Sequence, residues 1–201
     1  MNDLDFIEAP AVLDRIAART EELGFTMASE PRTGALLRTL AASKPGGRML
    51  ELGTGTGVGT AWLLAGMDPG ATLTSVDTDV VVQAVAREAL GSDPRLTLVQ
   101  EDAAAFLKRE ADKSYDLVFA DAIPGKYESL DDALAVVSPG GFYIIDDMLP
   151  QPQWPEGHAA RVLPLLERLA ADSRFQMAPL TWASGVAVLV RKPRKLREKV
   201  N

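Results

Sequence analysis

Five short runs rich in Val, Ile and Leu alternate with helix-patterned segments, and this alternation constrains the fold more than any other feature of the chain. The runs are Arg48 to Leu52, Thr72 to Val76, Leu96 to Gln100, Asp116 to Ala120 and Phe142 to Asp146. Their nearly continuous apolar character is that of strands covered on both faces. The intervening segments, Thr60 to Gly66, Val80 to Leu90, Ala103 to Glu110 and Tyr127 to Val137, pattern as helices. Such repetition implies right-handed crossovers and a parallel sheet. After Asp147 come a Pro-rich loop, a helix over Ala159 to Ala171, and two strands, Phe175 to Pro179 and Val186 to Arg191. Only residues 180–185 separate these two, so they are expected to pair antiparallel at one edge. Ala11 to Leu23 and Gly34 to Ala42 read as amphipathic helices ahead of the core. The expectation is an α/β fold with seven strands, mostly parallel, helices on both faces and an antiparallel edge strand.

With 201 residues, 47% of them hydrophobic, the chain suits one domain with a sizeable core. That domain is expected over residues 1–192, with N-terminal helices in 1–45, a core in 46–192 and a basic tail in 193–201. There is no run of 18 apolar residues and no Cys, and the N-terminus lacks the pattern of a secretory signal. A cytoplasmic protein that does not span a membrane is expected. The six basic residues Arg191, Lys192, Arg194, Lys195, Arg197 and Lys199 face one acid, Glu198, which gives residues 191–201 a net +5. The whole chain carries -7, so the remainder carries -12. An acidic body is a poor match to nucleic acid, and the tail has no aromatic residues to stack on bases, so it reads as a solvated terminus.

Between the first strand and the helix after it lies Glu51-Leu52-Gly53-Thr54-Gly55-Thr56-Gly57-Val58-Gly59. Glycines permit tight turns and close backbone approach, and a turn that opens a helix presents free N–H groups to a nucleoside-bearing ligand. The stretch is neither a P-loop, since Thr60-Ala61 follows Gly59, nor a G-x-G-x-x-G fingerprint, since the third glycine would fall at Val58 or Thr60. Asp77 ends the second strand, where a carboxylate can accept both ribose hydroxyl protons. Thr78 follows it, and Asp79 is placed to cap the next helix. Asp102-Ala103 ends the third strand in the same manner, either meeting an adenine edge or capping a helix. Asp121 follows the fourth strand, and Asp146 and Asp147 follow the fifth. If those strands neighbour the first, the three acids approach one end of the same crevice. Clustered carboxylates need a cation, and oxygen ligands favour a hard divalent ion such as Mg²⁺ or Ca²⁺.

The acid followed by G-x-G-x-G resembles the first motif of class I S-adenosylmethionine-dependent methyltransferases. The order and spacing of Glu51 to Thr54, Asp77, Asp102-Ala103, Phe119 to Asp121, Ser138 to Gly141 and Asp146-Asp147 resemble their catechol and caffeoyl-CoA O-methyltransferase group over about Met27 to Lys192. The resemblance implies a Rossmann-like seven-stranded fold, dimeric assembly, and S-adenosylmethionine bound at Glu51, Gly53, Thr54, Gly55, Gly57, Gly59, Asp77, Thr78, Asp102, Ala103 and Asp121. It also implies a segment from Met27 to Leu37 that closes over the methionine end. A Mg²⁺-type ion at Asp121, Asp146 and Asp147 would hold a hydroxyl of a small acceptor, aromatic ones included, beside the sulfonium methyl.

Two departures stand out. The group has Asp-Asn where this chain has Asp146-Asp147, and a catalytic Lys where this chain has Pro124. Lys126, two residues later, either swings into that place, where it could serve as general base, or is a solvated surface residue. Asp121 and Lys126 are thus the candidate catalytic residues. Trp154, in the Pro-rich loop, could stack on an aromatic acceptor, whereas the lone His158 reads as a loop or helix-start residue. Trp62 and Trp182 read as packing residues. Two other classes remain open: an NAD(P)-dependent oxidoreductase, disfavoured by the glycine spacing and the absence of a Tyr-x-x-x-Lys pair, and a catalytically silent cofactor-binding protein. Base methylation of nucleic acid lacks its Asn-Pro-Pro-Tyr and Pro-Cys signatures.

Overall fold

In the computed structural model, which describes residues 2–152, 154 and 156–193, the strands assemble into one seven-stranded sheet. In chain order the elements are a 3-10 turn (Asp3–Phe6), α1 (Val12–Glu22), α2 (Pro31–Ala42), β1 (Arg48–Leu52), α3 (Val58–Gly66), β2 (Thr72–Asp77), α4 (Val80–Leu90), β3 (Leu96–Gln100) and α5 (Ala103–Arg109). They continue with β4 (Tyr115–Ala120), the single turn α6 (Ile123–Lys126), α7 (Leu130–Ala135), β5 (Val137–Ile145), α8 (Ala159–Ala171), β6 (Phe175–Leu180) and β7 (Val186–Arg191). The strand order is β3-β2-β1-β4-β5-β7-β6. The first five strands are parallel, and β7 runs antiparallel to β5 on one side and to the outermost strand, β6, on the other. Chain order reverses between β1 and β4, which opens a crevice at their carboxyl ends.

Period-two alternation sends successive side chains to opposite faces. Met49, Leu73, Leu117, Phe119 and Ile144 bury against Ile16, Leu37, Trp62, Leu63 and Val85 of α1 to α4. Leu50, Leu52, Tyr143 and Ile145 bury against Phe106, Leu107, Leu134, Leu165 and Leu169 of α5, α7 and α8. A sheet covered on both sides explains why its strands read as unbroken apolar runs.

One expected element differs. The helix expected over Tyr127 to Val137 is shortened to α7, and the single turn α6 lies just ahead of the expected span. Pro124 (φ -65°, ψ 133°) and Gly125 (φ 93°) leave helical geometry inside α6, and Ser129 is left-handed (φ 49°) before α7. Val137 already belongs to β5, which carries a register shift between its pairings with Tyr115 and Leu117. The basic tail lies outside the described residues beyond Pro193. Among the described residues no helix is long and apolar enough to cross a membrane.

Candidate active site

The carboxyl ends of β1 to β5 surround a cavity of about 540 Å³. At its base the glycine turn is held by geometry only glycine adopts easily: Gly53 has φ 97° and Gly57 φ 94°. A Cβ on Gly53 would meet the Asp121 carbonyl at 2.7 Å, and one on Gly59 would meet Glu51 Oε1 at 2.5 Å. Gly53, Thr54, Gly55 and Gly59 line the cavity. Gly57 does not figure in the lining; it lies against Ala86 of α4, whose Cβ a side chain there would meet at 2.7 Å. This close approach packs the turn onto α4.

Glu51 is buried, and its Oε2 accepts hydrogen bonds from Ser75 Oγ and Thr60 Oγ1, both at 2.5 Å. Burial pushes its carboxyl up to about 8, against the pull of those two donors and helped by the nearby charges of Asp121 and Asp77. Thr54 Oγ1 is engaged inside the protein, with Ser75 Oγ at 2.7 Å and Gln83 Nε2 at 3.1 Å, so Thr54 offers a ligand its backbone. At the tip of β2, Asp77 Oδ2 accepts from Gly55 N at 2.8 Å and Oδ1 from Asp79 N at 2.9 Å, which ties the carboxylate to the glycine turn. Asp79 caps α4 through Val81 N and Val82 N. Asp102 caps α5 through Ala105 N and also lines the cavity, so both readings of that residue hold geometrically. Thr78 and Ala103 line the same end.

At the opposite end lie Asp121, Lys126, Asp146 and Asp147. Lys126 is not a solvated lysine: its side chain is 5% exposed, and Nζ sits 3.2 Å from Asp121 Oδ1 and 3.6 Å from Asp147 Oδ2. The break at Pro124-Gly125 turns it inward. A Cβ on Gly125 would meet Leu52 Cδ1 at 2.6 Å, and the Gly125 carbonyl accepts a hydrogen bond from Tyr143 Oη. Burial opposes the charge on Lys126, yet Asp121, Asp147 and Asp146 together raise its pKa above the usual lysine range. In this ion-paired setting the Lys126 ammonium is placed to donate hydrogen bonds to the neighbouring acids.

Asp146 is 2% exposed, and its Oδ1 accepts from Ser184 Oγ, from Asp147 N at 2.8 Å and from Thr33 Oγ1 at 3.5 Å. Burial raises its pKa, and Asp121 and Asp147 add to the rise. Asp147 has a left-handed backbone (φ 61°), and burial raises its pKa against the pull of Lys126. Among the described residues, no three His, Cys, Asp or Glu side chains are grouped to hold a metal ion. As they stand, Asp121, Asp146 and Asp147 do not form a ready ligand set for a divalent ion: an ammonium lies between two of the acids, and Oδ1 of the third accepts from internal donors.

Residues without a motif complete the cavity. Phe25, Met27, Ser29 and Glu30, ahead of α2, line it from above, and Ser29 Oγ donates to Asp121 Oδ2 at 3.3 Å. Trp154 and His158 line the acceptor end, their ring centroids 4.4 Å apart, and His158 Nε2 is 3.2 Å from Tyr127 Oη. Burial, Lys126 and Arg161 lower the His158 pKa, which favours the neutral ring. Ser29 and Thr33 fall in the segment from Met27 to Leu37 expected to close over the cavity, but their acid partners, like that of Ser184, lie far away along the chain and had no sequence signal.

The methyltransferase-domain family matches residues 50–148. Two relatives carry the name "Putative O-methyltransferase". One, from Mycolicibacterium vanbaalenii, is 35% identical over 69% of this chain but only 63% of its own length, just under two thirds. The other, from Mycobacterium ulcerans, is 31% identical over 92% of this chain and 87% of its own length. Among solved structures, the O-methyltransferase TomG from Streptomyces achromogenes, in complex with SAM, superposes with a TM-score of 0.78 at 23% identity, covering 93% of this chain and 92% of its own, and so shares the fold. With an acid and alternating glycines after β1, an acid at the tip of β2 and a relative matched over nearly its whole length, the chain belongs to the O-methyltransferase family of class I S-adenosylmethionine-dependent methyltransferases.

Proposed function

We propose that the protein methylates a hydroxyl oxygen of a small-molecule acceptor, with Asp77 and Asp102 at the nucleoside end of the cavity and Lys126, Asp121 and Asp147 at the reacting end. The observation that carries this reading is a single cavity that runs past the glycine turn and joins the two ends. Its volume of about 540 Å³ suits a small-molecule site. Bound S-adenosylmethionine supplies an electrophilic sulfonium methyl. The protein's part is positional: the glycine turn and Asp77 fix the nucleoside, and the far end holds the acceptor oxygen in line with the methyl, so that proximity supplies much of the rate. Lys126 donates to the acceptor oxygen and stabilises the negative charge left on it when its proton departs, before the oxygen attacks the methyl. Trp154 and His158 form an aromatic wall suited to a planar acceptor.

Calorimetry with S-adenosylmethionine and S-adenosylhomocysteine tests the cofactor site; absence of heat from folded protein sinks the reading. A panel of phenols and other hydroxylated acceptors, with S-adenosylhomocysteine release as readout, tests the reaction. Binding without turnover across that panel would favour the catalytically silent alternative. The nicotinamide alternative has no support from the family match. Cytoplasmic location and a homodimer are proposals carried by the family resemblance, and fractionation and light scattering check them.

A further inference from the structure

The acids at the reacting end already have a cation. Lys126 Nζ lies within ion-pair distance of both Asp121 and Asp147. Its chain is fixed there by the Pro124-Gly125 break and by the bond from Tyr143 to the Gly125 carbonyl. Asp146 turns one oxygen to Ser184, Thr33 and the Asp147 amide. A divalent ion entering this set would stand beside a buried ammonium of like sign and would find one Asp146 oxygen already taken by three donors.

We propose that the Lys126 ammonium is the resident cation of this site, standing where a divalent ion would otherwise gather Asp121, Asp146 and Asp147, so that methyl transfer here needs no metal. The inference rests on the O-methyltransferase reading above. It also narrows the acceptor. A divalent ion can chelate two neighbouring oxygens, whereas an ammonium offers three donors, and two directions here lead to Asp121 and Asp147. The remaining donor holds one oxygen. An acceptor with a single hydroxyl is therefore a full substrate, and an adjacent second hydroxyl adds nothing to its capture. In the transfer, the acceptor oxygen forms a bond to the methyl carbon as the carbon–sulfur bond breaks. The sulfur keeps the electron pair, and the hydroxyl proton passes to solvent water at the open end of the cavity.

The test is calorimetric titration of Mg²⁺ and of Mn²⁺ into chelator-treated protein saturated with S-adenosylhomocysteine. Wild type is expected to give no saturable heat. Lys126→Met removes the resident cation and is expected to gain saturable binding, which Lys126→Met/Asp147→Asn loses again. Saturable binding to wild type overturns the proposal, as does a folded Lys126→Met that gains none. If Lys126→Met does not fold, the wild-type titration still decides, and Lys126→Arg, which keeps the charge, is expected to stay silent. Turnover provides a second readout. Chelated wild type keeps its full rate, and a single-hydroxyl acceptor matches its vicinal-diol analogue in kcat/KM. A rate lost on chelation and restored by Mg²⁺ overturns the proposal and leaves the methyltransferase reading standing. Failure to bind S-adenosylhomocysteine at all removes that reading and the proposal with it.

Discussion

Asp77 and Glu51 show how two acids a short distance apart do different work. Asp77 uses both oxygens to hold backbone amides of Gly55 and Asp79, so it positions the turn as well as offering a carboxylate to the cavity. Hydrogen bonds to a charged group contribute about 1.5–3 kcal/mol. Asp77→Ala is therefore expected to weaken S-adenosylhomocysteine about 10- to 100-fold by calorimetry, and unchanged affinity would remove Asp77 from the site. Glu51 is instead a buried acid with its pKa raised from the usual 4.5 to about 8. A carboxyl raised on folding stabilises the protein fully below its unfolded pKa, and that stability is lost as pH rises through the folded value. Glu51→Gln carries no such loss. The melting temperature of the variant relative to wild type should rise between pH 4.5 and 8 and then level off, by an amount on the order of a few kcal/mol in stability. A difference independent of pH would refute the raised pKa. The strand tips and glycine spacing made these two residues legible in the sequence. Ser184 and Thr33 were not, since a hydroxyl 38 or 113 residues from Asp146 has no local pattern that marks it.

Among the helix pairs, α2 and α3 pack together most extensively, and glycines permit it. A Cβ on Gly34 would fall 2.2 Å from Trp62 Nε1, and one on Gly66 would fall 2.1 Å from the Arg38 carbonyl. Trp62 is fully buried between the helices, its Nε1 without a hydrogen-bond partner among the described residues. Gly34→Ala overpacks this contact and is expected to destabilise by about 1–3 kcal/mol in denaturant unfolding. Gly66→Ala acts on the same interface, so the double variant should depart from additivity. Wild-type stability in Gly34→Ala would mean that the helices slide apart freely. Helix periodicity predicted that α2 and α3 exist, while the closeness of their contact had no signature in either helix alone. The short pieces α6 and α7 illustrate the opposite error. Hydrophobic spacing suggested a helix from Tyr127 to Val137, but the left-handed Ser129 confines it to Leu130–Ala135, and the break at Pro124-Gly125 ahead of it is what turns Lys126 inward.

Over the whole molecule, the cavity draws on the ends of five strands and on the segment before α2, so a ligand there bridges parts of the chain far apart in sequence. A ligand that binds only the folded state stabilises it by mass action, about 2.7 kcal/mol at one hundred times its dissociation constant. For a protein of this size that corresponds to a rise in melting temperature of roughly 5–10 °C with S-adenosylhomocysteine, and no shift at saturation would argue against the site. The sequence by itself determined the order of strands and helices, the glycine turn and the acids at the strand tips, because side-chain periodicity and turn chemistry are local properties of neighbouring residues. Tertiary structure alone decided that Lys126 is buried between Asp121 and Asp147, that one oxygen of Asp146 meets internal donors and that Gly57 lies against α4. The physical reason is that burial, and the electrostatics burial amplifies, depend on which distant segments close over a residue: Ser29 reaches Asp121 across 92 residues, and Thr33 reaches Asp146 across 113.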